Sequence, residues 1–154
     1  MNINWNAEGY ASDFSFVPKY GESVMELITA PEGSTAADFG CGNGTLTAKL
    51  CEKGYSVTGV DASEEMLALT RKNHPEINVI SGDITTVTLP EPVDVIFSNA
   101  VFHWIEPDRQ DALAQNIYRN LKPGGELVFE MGGKDCASAI LDNMDRIFAK
   151  HGLK

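Results

Sequence analysis

Long apolar runs are absent from the sequence. None approaches the ~20 residues that a membrane-spanning helix needs, and no basic segment precedes an apolar stretch after Met1. We therefore expect a cytoplasmic protein with no membrane partner. At 154 residues, of which 43% are hydrophobic and 22% charged, the chain has the composition of one globular domain.

Basic residues are also scarce. The 12 Lys and Arg are outnumbered by 22 Asp and Glu, which gives a formal net charge of −10, and the cations are scattered rather than gathered into a stripe. Because nucleic-acid binding depends mainly on neutralising phosphates, this balance argues against DNA or RNA as a partner.

The few cysteines exclude two further classes. Cys41, Cys51 and Cys136 are odd in number and irregularly spaced, which is typical neither of a disulfide framework nor of metal ligands. The sequence predicts a reducing compartment and no metal centre.

What the sequence does contain is a glycine-rich turn at residues 36–47, Ala-Ala-Asp-Phe-Gly-Cys-Gly-Asn-Gly-Thr-Leu-Thr. A short apolar run ends in an acid, three glycines follow at alternate positions, and a helical pattern begins at once. Glycines at such a place allow positive φ and let a ligand approach the main chain. In open α/β sheets, ligands bind in the crevice at the carboxyl ends of the strands.

Two classes of ligand use such a turn. The dinucleotide fingerprint is G-x-G-x-x-G, whereas the glycines here are spaced G-x-G-x-G and Thr45 fills the place of the third. Asp38, two residues before the first glycine, would repel a pyrophosphate and attract an ammonium or sulfonium. The spacing therefore favours a zwitterionic, cationic ligand over a nicotinamide dinucleotide, which stays the alternative. Asp61, at the end of a β-branched strand, suits the ribose of either ligand.

Residues 38–44, Asp-Phe-Gly-Cys-Gly-Asn-Gly, resemble the first motif of class I S-adenosylmethionine-dependent methyltransferases. The resemblance implies S-adenosylmethionine as cofactor and S-adenosylhomocysteine as product. It places the amino-acid end of the cofactor at Asp38 and the glycine turn, its ribose at Asp61 and its adenine at Asp83 and Ile84. The cofactor-binding residues implied are Asp38, Gly40, Cys41, Gly42, Asn43, Asp61, Ala62, Met66, Asp83, Ile84, Asn99 and Ala100.

The acceptor side is expected after the fourth strand, at residues 98–104, Ser-Asn-Ala-Val-Phe-His-Trp. This stretch lacks the Asn-Pro-Pro-aromatic signature of amino-group DNA methylation, which favours a small-molecule or carrier-bound acceptor. The closest resemblance is to trans-aconitate-type carboxylate methyltransferases. His103 and Tyr20 are the candidate catalytic residues, although a His beside a Trp is equally typical of a packed side chain. Trp5, Tyr10 and Trp104 are the candidate acceptor contacts.

Five βα units in succession predict an α/β, Rossmann-like, doubly wound sheet, mainly parallel, of order 3-2-1-4-5 with helices on both faces. Residues 1–33 are expected to form a lid segment and a helix, and residues 34–154 the cofactor-binding core. The family sheet usually continues with two more strands, so we expect the chain to be a segment of a longer protein. The fifth strand, predicted at residues 127–131, would then be an apolar edge, covered by the last helix or by a second copy in a homodimer.

Overall fold

The sheet has five strands, all paired in parallel in the order β3-β2-β1-β4-β5, as predicted. The computed structural model describes residues 17–151, with side chains described from residue 21 onward. The strands are β1 (Thr35–Phe39), β2 (Ser56–Asp61), β3 (Asn78–Ser81), β4 (Val93–Asn99) and β5 (Leu121–Glu130). The helices are α1 (Val17–Met25), α2 (Thr45–Glu52), α3 (Glu64–Asn73), α4 (Gln110–Asn120) and α5 (Ser138–Lys150), with short 3-10 turns at Phe102–Trp104 and Pro107–Arg109.

Helices lie on both faces of the sheet, so the central strands β1 and β4 are buried almost throughout. In β4, Val95, Ile96 and Phe97 are fully buried, as expected of a parallel strand covered on two sides. Ile96 packs with α4 on one face, whereas Val95 and Phe97 pack with α1 and α2 on the other. The two cores fix the strand ends, and the carboxyl ends of β1, β2, β3 and β4 meet along one edge.

The helix α3 is capped by Ser63 and not by Asp61. Ser63 is the N-cap, and its hydroxyl accepts a hydrogen bond of 3.3 Å from the backbone N–H of Met66. Glu64 and Glu65 supply the negative charge that favours the first turn of a helix. Asp61 lies before this cap, at the tip of β2.

The fifth strand differs from the prediction. It spans Leu121–Glu130 rather than residues 127–131, because Leu121 already pairs with Val93 ahead of the Pro-Gly-Gly sequence. The next pair joins Glu126 to Val95, so residues 122–125 form an irregular insertion within the strand, with Gly124 at φ +82°. The turn sequence therefore interrupts the pairing between Leu121 and Glu126 without ending the strand.

The last helix does not cover the fifth strand, contrary to the first of the two expected arrangements. No residue of α5 is buried, and Leu127, Phe129 and Met131 are also exposed. The apolar side of α5 is exposed at Ile140, Leu141, Met144, Ile147 and Phe148. A second copy remains as the proposed cover.

Candidate functional site

The glycine turn between β1 and α2 requires glycine for two separate reasons. Gly40, Gly42 and Gly44 have φ of +83°, +55° and +81°, which is the left-handed region that L side chains rarely adopt. A Cβ on Gly40 would also lie 2.2 Å from Cγ2 of Val101. The turn therefore presents main chain rather than side chains at the carboxyl end of β1.

Asp38 lies at the bottom of this turn and is 2% exposed. Its Oδ2 accepts a hydrogen bond of 2.7 Å from the hydroxyl of Thr47 in α2, and within the described residues its Oδ1 accepts none. Burial raises the pKa of Asp38 to about 7; the hydrogen bond from Thr47 opposes this shift and the nearby Asp61 adds to it. Such a carboxyl is stabilised in its charged form by a cationic ligand.

Asp61 links the end of β2 to the turn after β1. Its Oδ2 accepts a hydrogen bond of 2.9 Å from the backbone N–H of Gly42, and its Oδ1 accepts one of 2.8 Å from that of Ser63. Burial raises the pKa of Asp61, while the N–H groups of Ser63, Gly42 and Ala62 oppose the shift. Asp38 and Asp61 thus place two acids, with no cation paired to either among the described residues, beside one turn.

Two further candidate cofactor-binding residues, Cys41 and Asn43, lie in the glycine turn itself. The thiol of Cys41 packs against Gly59 of β2, and burial, with Asp38 and Asp61, raises its pKa, so it stays protonated. Oδ1 of Asn43 accepts hydrogen bonds from the N–H (3.2 Å) and hydroxyl (2.8 Å) of Thr45.

Two candidates follow Asp61 at the start of α3. Ala62 is exposed at the rim. Met66 is buried, and its Cε would lie 3.3 Å from a Cβ on Gly42. The thioether therefore lies directly beside the turn.

Asp83 follows β3, and both of its carboxylate oxygens accept hydrogen bonds. Its Oδ1 accepts hydrogen bonds from the N–H (2.9 Å) and hydroxyl (2.7 Å) of Thr85, and its Oδ2 accepts one of 2.7 Å from Nη2 of Arg109. Partial burial alone would raise the pKa of Asp83, but the hydrogen bonds from Arg109 and Thr85 outweigh it and hold that pKa below its usual value. The next residue, Ile84, is buried, and its backbone N–H has no acceptor among residues 17–151.

The end of β4 carries an unpartnered amide and a strained residue. Asn99 is 8% exposed, and neither its Oδ1 nor its Nδ2 has a hydrogen-bond partner in the described part of the chain. Ala100 has φ +58°, although it is not a glycine, and its N–H donates to the carbonyl of Glu130 (2.9 Å). Unsatisfied buried groups and left-handed non-glycine residues are concentrated at functional sites.

His103 and Trp104 lie farther out, on the surface beyond β4. Their rings are 5.0 Å apart, and Nδ1 of His103 accepts a hydrogen bond of 3.4 Å from the backbone N–H of Gly132, after β5. Trp104 is 53% exposed. Both residues are therefore exposed in the 3-10 turn that follows β4. Trp5 and Tyr10 lie outside the described residues, as does the side chain of Tyr20 in α1.

Sequence reasoning missed three side chains at this site. Thr47 binds Asp38, and Thr85 and Arg109 bind Asp83. A Thr in the first turn after a glycine loop is a local signal that could have been noticed. Arg109 lies 26 residues from Asp83 along the chain, so no local pattern reveals that contact. Within residues 17–151, no group of three or more His, Cys, Asp or Glu side chains is arranged to hold a metal ion.

Comparisons with known proteins identify the family of this chain. Residues 36–125 match a family described as the methyltransferase domain, so the chain belongs to the methyltransferase domain family. This match decides between the two classes of protein that the glycine spacing left open, against the nicotinamide oxidoreductases. In the described residues, no helix is long and apolar enough to cross a membrane.

Three relatives illustrate the similarity. An uncharacterised methyltransferase of Schizosaccharomyces pombe is 31% identical over 96% of this chain and 59% of its own length. A trans-aconitate 2-methyltransferase of Azoarcus sp. is 33% identical over 82% of this chain and 50% of its own. A malonyl-[acyl-carrier protein] O-methyltransferase of Pectobacterium atrosepticum is 34% identical over 71% of this chain and 43% of its own. The chain thus spans about half the length of the relatives it matches.

Solved structures show the same fold. A TehB-like S-adenosylmethionine-dependent methyltransferase of Corynebacterium glutamicum superposes with a TM-score of 0.72 and 24% identity, over 92% of this chain and 82% of the other. An S-adenosylmethionine-dependent methyltransferase of Mesorhizobium loti has a TM-score of 0.62 and 30% identity, over 70% of this chain and 51% of the other. The Rossmann-like sheet predicted from the sequence is confirmed.

Proposed function

We propose that this chain binds S-adenosylmethionine across the carboxyl ends of its first four strands and transfers the methyl group to a carboxylate oxygen. The observation that carries the proposal is the placement of a buried acid, Asp38, and a half-buried acid, Asp61, beside a turn whose three glycines present main chain. Membership of the methyltransferase domain family supports it.

The residues present fit the amino-acid end of this cofactor. Asp38 is in register with Phe97, two residues before Asn99 in β4, so the side chains of Asp38 and Asn99 lie on the same face of the sheet. Among the described residues, one has a carboxylate oxygen without a donor and the other has an unpartnered amide. An acceptor and a donor side by side suit an ammonium and a carboxylate, which are the two groups of an α-amino acid.

The nucleoside end fits the next two acids along the edge. A carboxylate such as Asp61 can accept two hydrogen bonds from a ribose diol. Asp83 and the N–H of Ile84, which has no acceptor among residues 17–151, offer an acceptor next to a donor, the pattern that the amino group and ring nitrogen of adenine require. Met66 and Ala62 would border the same part of the crevice.

The bound cofactor would supply an electrophilic methyl group: the acceptor oxygen would form a bond to the methyl carbon as the bond from that carbon to the sulfonium sulfur breaks, and S-adenosylhomocysteine would leave as a neutral thioether. The chain's own residues would align and desolvate the two reactants, and such alignment is worth about 7–11 kcal/mol in well-oriented pairs. A carboxylate acceptor is already an anion and needs no strong base. His103, which is exposed after β4, would donate a hydrogen bond to this carboxylate. The proposed neighbours of the acceptor are Trp104, Trp5, Tyr10 and Tyr20.

Two relatives support the choice of a carboxylate, since trans-aconitate and a malonyl thioester both carry one. The test is transfer of a labelled methyl group from S-adenosylmethionine to a panel of dicarboxylic acids and their amides, with amines and thiols alongside. We expect a base-labile methyl ester from acids only, and less of it from His103→Asn. Transfer to amines or thiols alone would contradict the acceptor class.

A second candidate is a binding chain that does not turn over. The observation that favours it is that the matched region covers only 50% and 43% of two relatives, so the acceptor subsite of a whole enzyme would draw on residues beyond those matched here. Tight binding of S-adenosylhomocysteine with no transfer to any member of the panel would favour this candidate.

Two arrangements around the core are part of the proposal. Gly21 of α1 packs so closely that a Cβ there would lie 2.5 Å from Leu46 and 3.1 Å from Asn99, so α1 crosses over the end of β4. We therefore assign residues 1–33 as a lid and helix over the core at residues 34–154. We also propose a homodimer in which a second copy pairs with the open edge of β5 and covers the apolar side of α5.

A further inference from the structure

We infer that Arg109 is a positioning residue for adenine recognition, because it holds the carboxylate of Asp83 in the orientation that accepts from the adenine amino group. The inference rests on the proposed function, in which Asp83 is the adenine ligand. It adds a residue on a different loop, after β4, to a site otherwise built at the end of β3.

The hydrogen bonds of Asp83 leave few places for a ligand. A carboxylate oxygen accepts about two hydrogen bonds, and Oδ1 already accepts both from Thr85. Oδ2 accepts only the bond of 2.7 Å from Nη2 of Arg109 within the described residues. The acceptor position left for an adenine amino group is therefore on the oxygen that Arg109 holds.

Hydrogen bonds fix both the guanidinium of Arg109 and the segment that carries it. Nη2 of Arg109 also donates to the hydroxyl of Thr85, so one nitrogen joins both residues of the turn. Nε2 of Gln110, the next residue, donates to the carbonyl groups of Phe102 (3.1 Å) and Ile105 (2.9 Å). These bonds fix the segment that carries Arg109 at the start of α4.

The helix α4 also binds the turn that follows Asp83, which is the proposed adenine-binding turn. Nδ2 of Asn116 in α4 donates to the carbonyl oxygens of Ile84 (3.0 Å) and Val87 (2.9 Å). Arg109 and the Asp83 turn are therefore both anchored to α4, and their separation is set by one element. The two side chains of the ion pair are 39% and 41% exposed, so a ligand can reach the pair while α4 fixes the segments that carry it.

The charges around the pair support the same role. Asp83 raises the pKa of Arg109 most strongly, and Asp108 and Glu106 add to the effect. Arg109 in turn keeps Asp83 ionised, and an ionised carboxylate accepts hydrogen bonds on both oxygens. The rival interpretation is that Arg109 occupies the adenine position itself, in which case removing it would tighten binding.

The test is calorimetry of the 154-residue chain with S-adenosylhomocysteine and with S-inosylhomocysteine, whose base has an exocyclic carbonyl oxygen in place of the amino group. For Arg109→Gln we expect roughly tenfold weaker binding of the first ligand and little change for the second. The loss relative to wild type should widen as pH falls, because Arg109→Gln removes a contact that lowers the pKa of Asp83. Arg109→Lys keeps the charge and should restore the wild-type pH dependence.

Arg71→Gln is the matched control, since it removes an exposed ion pair with Glu64 at 3.2 Å, in α3, and should change neither affinity. Equal or tighter binding by Arg109→Gln would overturn the inference, and so would an equal loss of both ligands or a lowered melting temperature that accounts for the change. Absence of S-adenosylhomocysteine binding to the wild-type chain would instead refute the proposed function, and the inference with it.

Discussion

The carboxylate of Asp61 and the backbone N–H of Gly42 are joined by a hydrogen bond of 2.9 Å. This bond connects the tip of β2 to the turn that follows β1, so the acid proposed to bind the ribose also fixes the main chain proposed to bind the amino-acid end. The other oxygen of Asp61 is bound to the N–H of Ser63 at the start of α3. One side chain therefore sets the positions of three pieces of the crevice.

Asp61→Asn should weaken binding of S-adenosylhomocysteine by about 100-fold, because it converts charge-assisted hydrogen bonds to the ribose into neutral ones and exchanges an acceptor for a donor. Calorimetry measures the change. Glu91→Gln is the control, since Glu91 is an exposed acid just before β4, at the opposite edge of the sheet, and it should bind as the wild type does. An unchanged affinity in Asp61→Asn would remove Asp61 from the site.

Gly40→Ala should destabilise the fold more than Gly33→Ala. Both positions have a left-handed backbone, at φ +83° and +89°, and this costs an alanine about 1–2 kcal/mol. Only at Gly40 would the new Cβ also meet Val101, and such overpacking adds roughly 1–3 kcal/mol. Urea unfolding of the two variants gives the comparison. Equal losses of unfolding free energy would show that Val101 moves aside without cost.

Much of this turn could be predicted from the sequence, because its signals are local. Alternating glycines after a buried acid specify a main-chain crevice, and β-branched runs specify the strands that carry it. The contacts that depend on distant segments could not be predicted. Arg109 reaches Asp83 only because α4 holds the two loops together, and Leu121 joins β5 only because Val93 is beside it.

The exposure of α5 is the other feature that the sequence did not decide. Its apolar residues recur on one side of the helix, which predicts a buried face, yet no residue of the helix is buried. Amphipathic spacing predicts that a helix packs against another surface, but it does not identify that surface.

The pH dependence of stability should include a term from Asp38. Its pKa is raised from 3.8 to about 7 in the folded chain, so between these values the folded state holds a proton that the unfolded state has lost. Stability therefore falls as pH rises through that range, and Asp38→Asn should flatten the slope. Urea unfolding across the range measures it, and Asp142→Asn, an exposed acid of α5, should keep the wild-type slope. A steep slope retained in Asp38→Asn would contradict the assignment.

Ligand binding should depend on Asp38 with the opposite sign. A cationic amino group favours the ionised carboxyl, so S-adenosylhomocysteine should bind more tightly as pH rises toward and through about 7 and should release a proton below that pH. Calorimetry in buffers of different ionisation enthalpy counts the protons. No proton release attributable to Asp38, judged against Asp38→Asn, would place the ammonium elsewhere.

The chain should form a dimer in solution through β5 and α5. A charge at Ile147, which is 55% exposed on the apolar side of α5, should separate the copies, because an unpaired charge is costly in an apolar interface. Light scattering should report a dimer for the wild type and a monomer for Ile147→Glu. Tyr118→Glu, on α4 and 82% exposed, should remain dimeric. A monomeric wild type would rule out the second copy as the cover.

The most direct measurement is calorimetry of the wild-type chain with S-adenosylhomocysteine and with NAD. The account predicts one S-adenosylhomocysteine bound per chain and no binding of NAD, because a turn flanked by Asp38 accepts an ammonium and repels a pyrophosphate. Binding of NAD, or no binding of S-adenosylhomocysteine, would contradict it.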